Sequence, residues 1–135
     1  MAGSSGKPVV QKLGLKPGFR IFVADAPAAY PALVGELPEG VTTVAQLRGA
    51  IDMIHVFATD AAALARQIPA YRAAIRPDGM IWISWPKQAA KVETDLSDNV
   101  IRKLVLPLGL VDVKVCAIDA TWSGLKFVIR KAERG

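Results

Sequence analysis

Short apolar runs recur along this chain and are separated by stretches with helical spacing. The clearest runs are "FRIFVAD", "DMIHVFA" and "MIWISW", which are rich in β-branched and aromatic residues and end in turn or polar residues. Runs of this length and composition predict strands that are buried on both faces. Two further strands are predicted in "LVDVKVCAID" and "GLKFVIRKA", and a weaker one over residues 41–45.

The longest helix is predicted between the second and third clear strands. Leu64, Ile68, Tyr71 and Ile75 follow one another at spacings of four, three and four, which places them on one side of a helix. Thr59 precedes this segment and is the predicted N-cap. The segment therefore packs one apolar stripe against a sheet.

Two other helices are predicted from their capping signals. "APAAYPALVGEL" follows the first strand, and we interpret its alanines as the packing residues that begin a helix. The last helix takes Thr94 or Ser97 as its cap and ends at Gly109. Its inward-facing residues are predicted to be Val100, Leu104 and Leu108.

The order of these elements predicts an α/β fold. Strands that alternate with helices and are apolar throughout are typical of a parallel sheet with helices on both faces. The last two strands are joined too closely for a parallel crossover and are predicted to form an antiparallel hairpin, giving a sheet of about six strands. The weak second strand is short or paired elsewhere, because residues 46–51 span only ~20 Å.

Composition places the chain among single-domain globular proteins. It has 135 residues, of which 52% are hydrophobic and 21% charged. We expect a flexible tail over residues 1–8 and one domain over 9–133. No apolar run approaches the ~20 residues of a membrane span, and no secretory signal is present, so a cytoplasmic location is expected. The single cysteine, Cys116, is interpreted as a small buried hydrophobe.

The formal net charge of +5 raises the question of nucleic-acid binding. Lys7, Lys12, Lys16 and Arg20 supply four positive charges within the first twenty residues, where no acid occurs. The rest of the chain carries 13 basic and 12 acidic residues and is nearly neutral. We therefore interpret the basicity as a leader rather than a patch built into the fold, and do not expect nucleic-acid binding.

Three segments carry a resemblance to class I methyltransferases: "LGLKPGFRIFVAD", "IRPDGMIWISWP" and "LGLVDVKVCAIDATWSGLKFVIRK". The resemblance implies a Rossmann-like sheet whose last strand inserts antiparallel beside its neighbours. The chain from about residue 7 to 131 also resembles a family of small bacterial proteins catalogued as a domain of unknown function. "WPK", "TDL" and "VCAID.TWSGLKFV" carry that second resemblance, which implies a fold and no activity.

The sequence departs from true methyltransferases where those enzymes hold S-adenosylmethionine. Asp25 lies near their acidic position, but "APAA" supplies none of the glycines that let the backbone approach the cofactor. "TTVAQLRG" lacks the second acid that normally binds the ribose. The chain is also shorter by about one strand–helix unit. We therefore expect no cofactor, with S-adenosylmethionine as the alternative.

Polar and aromatic residues follow the predicted parallel strands and mark a candidate ligand-binding edge, because ligands bind outside the carboxyl ends of such strands. Alternative roles stay open: Asp25 and Asp60 as helix caps, Asp119 as a turn-shaping residue, and Trp85 packed on Trp122. The candidate residues are Asp25, Thr59, Asp60, Trp85, Lys87, Asp119, Trp122 and Ser123.

Metal and nucleophilic chemistry find little support in the sequence. His55 is the only histidine and lies inside an apolar strand, so we interpret it as a core residue with satisfied hydrogen bonds. No metal site is expected. A Ser–His pair is not expected either, because His55 lies far from the carboxyl edge.

Two functions follow from these observations. The favoured one is a non-catalytic domain that binds a small molecule or a protein partner at the carboxyl edge. The alternative is an atypical S-adenosylmethionine-dependent methyltransferase, with Asp25 holding the cofactor and Trp85 and Lys87 near the substrate. Homodimer formation through the fifth strand, a predicted sheet edge, stays open.

Overall fold

A computed structural model describes residues 8–134 and shows an α/β fold on one six-stranded sheet. Residues 1–7 of the predicted tail lie outside this range. The strands are β1 (Arg20–Ala24), β2 (Thr42–Thr43), β3 (Ile51–Phe57), β4 (Ile75–Pro86), β5 (Leu110–Ala117) and β6 (Trp122–Ile129). The helices are α1 (Val9–Leu13), α2 (Tyr30–Val34), α3 (Ala61–Ala74) and α4 (Asp98–Val105). Short 3-10 turns cover Gln88–Ala90, Leu106–Leu108 and Lys131–Glu133.

The strand order is β2-β1-β3-β4-β6-β5. β2, β1, β3 and β4 are parallel, whereas β6 lies antiparallel between β4 and β5. This confirms the predicted mostly parallel sheet with a C-terminal antiparallel hairpin. The chain turns to opposite sides of β1 when it forms β2 and β3, so the topological switch point lies between β1 and β3.

β2 is short, as the reach of its connection requires. Its two residues, Thr42 and Thr43, pair with Arg20 and Ile21 at the beginning of β1. Since β2 ends near the amino edge of the sheet, the chain has little distance to cover before β3 begins. The chain therefore passes from β2 to β3 without a helix, and β2 can still pair parallel with β1.

Each face of the sheet has its own apolar core. Ile81 and Ile83 of β4 lie in the core beneath α3 and α4, whereas Met80 and Trp82 lie in the core beneath α1 and α2. Successive strand residues point to opposite faces, so a strand covered on both sides must be apolar at every position. The prediction of helices on both faces is confirmed.

The helix after β1 begins later than predicted. α2 begins at Tyr30, and residues 26–29 form a turn before it. Pro31 lies in the first turn of α2, where a missing N–H removes no intrahelical hydrogen bond. The interpretation of residues 26–29 as the start of the helix is wrong.

The caps of the two long helices differ in how well they were predicted. Asp60, not Thr59, caps α3: its Oδ2 accepts from the Ala63 N–H at 2.9 Å. Ser97, one of the two alternatives, caps α4. The residues of α4 that are fully buried are Ile101 and Val105, whereas the predicted inward-facing residues are only half-buried.

Two of the basic residues near the N-terminus belong to the fold. Lys12 lies in α1 with 7% of its surface exposed, and its Nζ donates to the Ala117 carbonyl at 2.9 Å. The Arg20 guanidinium donates to the carbonyls of Arg48 and Ala50. The interpretation of the basic residues as a separate leader is therefore wrong for these two side chains.

Cys116 is half-buried rather than buried, because it lies in β5 at the edge of the sheet. Its partial burial still raises the pKa of its thiol. Over residues 8–134, none of the helices combines the length and the apolar character needed to cross a membrane.

Candidate functional site

A cavity of about 210 Å³ opens at the switch point, between the carboxyl ends of β1 and β3. Four of the eight predicted edge residues line it together with four residues of β3, α3 and the loop between them. The lining residues are Asp25, Phe57, Ala58, Thr59, Asp60, Ala63, Gln67 and Trp122. Topology thus brings together side chains that lie up to 97 positions apart in the sequence.

Asp25 lies at the rim of this cavity. Its φ of 58° lies in the left-handed region, which aspartate tolerates better than most residues because its side chain is short and polar. The N-cap position of α2 is Ala29, so the alternative role of Asp25 as a helix cap is wrong. Within residues 8–134 the exposed Asp25 carboxylate accepts no hydrogen bond; burial and its charge raise the pKa of Tyr71.

The second carboxylate at the cavity is held in place by a neighbouring loop. Asp60 caps α3, which confirms that alternative, and the Ala61 N–H donates to Asp95 Oδ1 at 2.8 Å. The Thr94 hydroxyl donates to the Thr59 carbonyl at 2.6 Å. In the described part of the chain, no three histidine, cysteine, aspartate or glutamate side chains come close enough to hold a metal ion.

Aromatic rings form the floor of the cavity. The half-buried Trp122 ring meets Phe57 edge-on, with centroids 5.0 Å apart and planes at 89°. Beneath it, Phe57 stacks on His55 at 4.4 Å and meets Tyr30 edge-on at 5.5 Å. Such pairings favour a rigid arrangement of the rings, so the cavity has a preformed apolar floor.

His55 lies behind this floor in a buried hydrogen-bonded chain. Its Nδ1 lies 2.9 Å from the Tyr30 hydroxyl and its Nε2 lies 2.8 Å from Ser84 Oγ. His55 has no exposed surface, and burial lowers its pKa to about 3. The interpretation of His55 as a satisfied core residue is confirmed.

The expectation that no serine pairs with His55 is wrong. Parallel pairing sets His55 opposite Trp82 and Phe57 opposite Ser84, so Ser84 is the diagonal neighbour of His55 on the same face. Ser84 is also fully buried. A nucleophile needs contact with substrate, and the Ser84 hydroxyl has no exposed surface through which to reach one.

Trp85 and Lys87 lie at a different cavity from Asp25. This second cavity, of about 380 Å³, opens between the end of β4 and the start of α4. The predicted single edge is therefore divided into two cavities. The residues that line the second are Trp85, Pro86, Lys87, Gln88, Val92, Thr94, Leu96, Ser97 and Asp98.

Strand register explains why the two tryptophans separate. Trp85 pairs with Ser123, and the next residue of β4, Pro86, pairs with Trp122. Adjacent residues of a strand point to opposite faces, so Trp85 packs in the core beneath α3 and α4, whereas Trp122 packs on the opposite core. The alternative that Trp85 and Trp122 pack on each other is wrong.

The last two predicted residues line neither cavity. Asp119 Oδ1 accepts from the backbone N–H groups of Thr121 and Trp122 at 2.8 and 2.7 Å, which confirms its role in shaping the turn. Ser123 is half-buried within β6, between Trp85 and Ala117 on the neighbouring strands. Both residues therefore support the hairpin.

Four residues that line the cavity were missed in the sequence. Ala63 and Gln67 lie four positions apart on α3, a spacing that places them on one helix face just after the Asp60 cap. That spacing could have identified both residues as neighbours of Asp60 at the cavity. Phe57 and Ala58 gave no such signal, because further apolar residues in an apolar run are indistinguishable from core.

Known proteins show a likeness in fold only. No family model matches the chain, and no curated protein matches it. A magnesium protoporphyrin IX methyltransferase from Synechocystis PCC 6803, solved with bound S-adenosylmethionine, superposes with a TM-score of 0.61 at 15% identity over 90% of this chain and 76% of its own.

Two other solved structures give similar values at 90% coverage of this chain. The ribosomal protein L11 methylase of Lactobacillus delbrueckii subsp. bulgaricus has a TM-score of 0.60, 11% identity and 75% of its own length matched. A possible exported protein from Bordetella parapertussis has a TM-score of 0.63, 10% identity and 66% of its length matched. At these identities the comparisons establish the fold alone: the chain has a Rossmann-like, methyltransferase-like α/β fold.

Proposed function

We propose that this domain binds a small ligand with a single ring in the switch-point cavity and does not transfer a methyl group. One observation carries the proposal: two side chains line one cavity of about 210 Å³, the Asp25 carboxylate, which has no hydrogen-bond or ion-pair partner among residues 8–134, and the half-exposed indole of Trp122. Pockets for drug-sized ligands occupy about 300–1,000 Å³. The cavity is smaller than these pockets and therefore suits a ligand with a single ring.

The lining favours a ligand that donates hydrogen bonds. Asp25 and Asp60 present carboxylate oxygens, and Thr59 and Gln67 add a hydroxyl and an amide. Trp122 adds a flat apolar surface. A sugar ring or a planar ring bearing amino groups matches this combination, since both have an apolar face and donors around the rim. A concave site of this size favours a small molecule over a protein partner.

The alternative, a methyltransferase that uses S-adenosylmethionine, has one observation in its favour. Asp25 follows β1 at the switch point of a fold that is shared with a methyltransferase solved with that cofactor. Against it, the turn over residues 26–29 contains no glycine, so Cβ atoms stand where those enzymes bring bare backbone to the ligand. We therefore favour binding without methyl transfer.

Calorimetric titration distinguishes the two functions. Cytosine and ribose serve as single-ring probes, and S-adenosylmethionine is titrated to millimolar concentration. We expect one single-ring probe to bind and S-adenosylmethionine to give no heat. Asp25→Asn should weaken the bound probe about tenfold, because a hydrogen bond to a charged acceptor contributes ~1.5–3 kcal/mol.

Glu39→Gln is the matched control, because Glu39 is an exposed acid whose backbone contacts Gly18 at the opposite end of β1. The Glu39→Gln variant should bind the probe with the same affinity as the unaltered chain. Heat from S-adenosylmethionine that is lost in Asp25→Asn would establish the alternative instead. An absence of heat from cytosine, ribose and S-adenosylmethionine alike would contradict both functions.

A further inference from the structure

The outer edge of β5 carries an unusual exposed surface. β5 is the last strand of the sheet, so its outward N–H and C=O groups have no neighbouring strand. Val113 and Val115 are 53% and 60% exposed. These two are among only four large hydrophobic residues that are exposed within residues 8–134, so half of that exposed apolar set lies on one edge strand.

Lysines gather on one face beside this edge. Lys114 of β5 lies directly opposite Lys126 of β6, a like-charge pairing that destabilises a sheet. A Cβ on Gly14 would stand 3.7 Å from Lys126 Nζ, which places that ammonium over the end of α1, and the charge of Lys16 acts on it there. Burial, together with the charges of Lys114 and Lys16, lowers the pKa of Lys126. Three ammonium groups therefore share one small surface.

No acidic side chain neutralises this lysine surface. The ion pairs of the described chain all involve Arg76, Arg102 or Arg130, and none includes Lys16, Lys114 or Lys126. Like charges placed together without a counter-charge raise the free energy of the folded chain. Such an arrangement favours an anionic partner that supplies the missing charges.

We propose that the β5 edge and the lysine surface bind an extended acidic segment of a partner protein as an added strand. The segment would use the outward backbone groups of β5 for strand addition. Because side chains alternate between faces, acidic residues would lie on the side of Lys114 and Lys126. Apolar residues would lie on the other side, beside Val115. The partner segment thus alternates acidic with apolar residues.

The same observations argue against two other occupants. Nonspecific single-stranded nucleic acid binds largely by stacking its bases on aromatic rings, and none of the exposed large hydrophobics is aromatic. A second copy that pairs through β5 about a twofold axis normal to the sheet would bring its own Lys114 and Lys126 to the same face. The register shift between Asp112 and Lys114 also shortens the regular edge to Lys114–Ala117.

A labelled peptide of about eight residues, in which glutamate alternates with valine, tests the proposal by fluorescence anisotropy. We expect binding that weakens as salt is added. Lys114→Glu should reduce the affinity at least about tenfold, whereas Lys103→Glu, an exposed lysine on α4, should leave it within about twofold. Val115→Thr, which keeps a β-branched residue, should also weaken binding, and unchanged circular dichroism would show that each variant folds.

Two altered peptides separate strand addition from simple charge attraction. A peptide of the same composition with its glutamates and valines in separate blocks should bind more weakly, and so should a peptide with N-methylated backbone amides. Equal binding of the blocked and alternating peptides would overturn the proposal. Tighter binding of a single-stranded oligonucleotide would overturn it too, as would a dimer in analytical ultracentrifugation that dissociates in Lys114→Glu.

Discussion

Replacing Trp82 by alanine should lower the free energy of unfolding by about 4 kcal/mol, a large share of the total stability of a domain of this size. Trp82 is fully buried in β4, and its Nε1–H donates to the Leu13 carbonyl at 2.9 Å. On the adjacent strand, a Cβ at Gly124 would stand 3.1 Å from Cε3 of the indole. Glycine therefore leaves the space that the large ring fills, and truncation would open a cavity there.

Trp82→Phe is the matched variant, because it retains a ring but leaves the Leu13 carbonyl without its donor. We expect it to lose about half as much stability as alanine. Urea denaturation measures both variants, and Trp85 and Trp122 remain as fluorescent reporters. A loss below about 1 kcal/mol for alanine would show that α1 does not depend on this contact.

The architecture could be predicted because β3 and most of β4, at the centre of the sheet, are buried on both faces. In "DMIHVFA" and "MIWISW" the apolar character is continuous, and no other element of this length explains it. The start of β4 could not be predicted. Ile75 belongs to the predicted helical stripe, and Asp78 and Gly79 are typical turn residues, yet the strand begins at Ile75, which pairs with Ile51 of β3. A tertiary ladder thus overrides local turn preference.

The structure brings most of the candidate residues to the carboxyl edge of the sheet but divides them between two cavities. The rule that ligands bind at carboxyl ends identifies which residues lie at the edge. It does not say which face each side chain takes, since that depends on register with a neighbouring strand. Trp85 and Trp122 show the consequence, because a shift of one position sends them to opposite cores.

The His55–Ser84 contact also depends on strand register and could not be predicted from the sequence. The two residues lie 29 positions apart, and each occurs in an apolar run that gives no sign of a polar partner. Only the pairing of β3 with β4 makes them diagonal neighbours. Polar residues inside two adjacent buried strands are therefore a reason to look for a mutual contact, even when neither lies near a strand end.

Lowering the pH from 7.5 to 5 should remove about 2 kcal/mol of stability through His55 alone. Burial lowers the pKa of this histidine to about 3 in the folded chain, whereas in the unfolded chain it is about 6.5. Between these values the unfolded chain binds a proton that the folded chain excludes. Stability is therefore full above pH 6.5 and declines as the pH falls toward 3.

His55→Gln isolates this contribution, since glutamine keeps polar atoms near Tyr30 and Ser84 but does not titrate. Urea denaturation at several pH values between 5 and 7.5 should show a steep dependence in the unaltered chain and a nearly flat one in the variant. His55 is the only histidine, so no other imidazole contributes within this window. An equal slope in both proteins would mean that the imidazole takes up its proton without unfolding, and that the floor of the switch-point cavity opens to water.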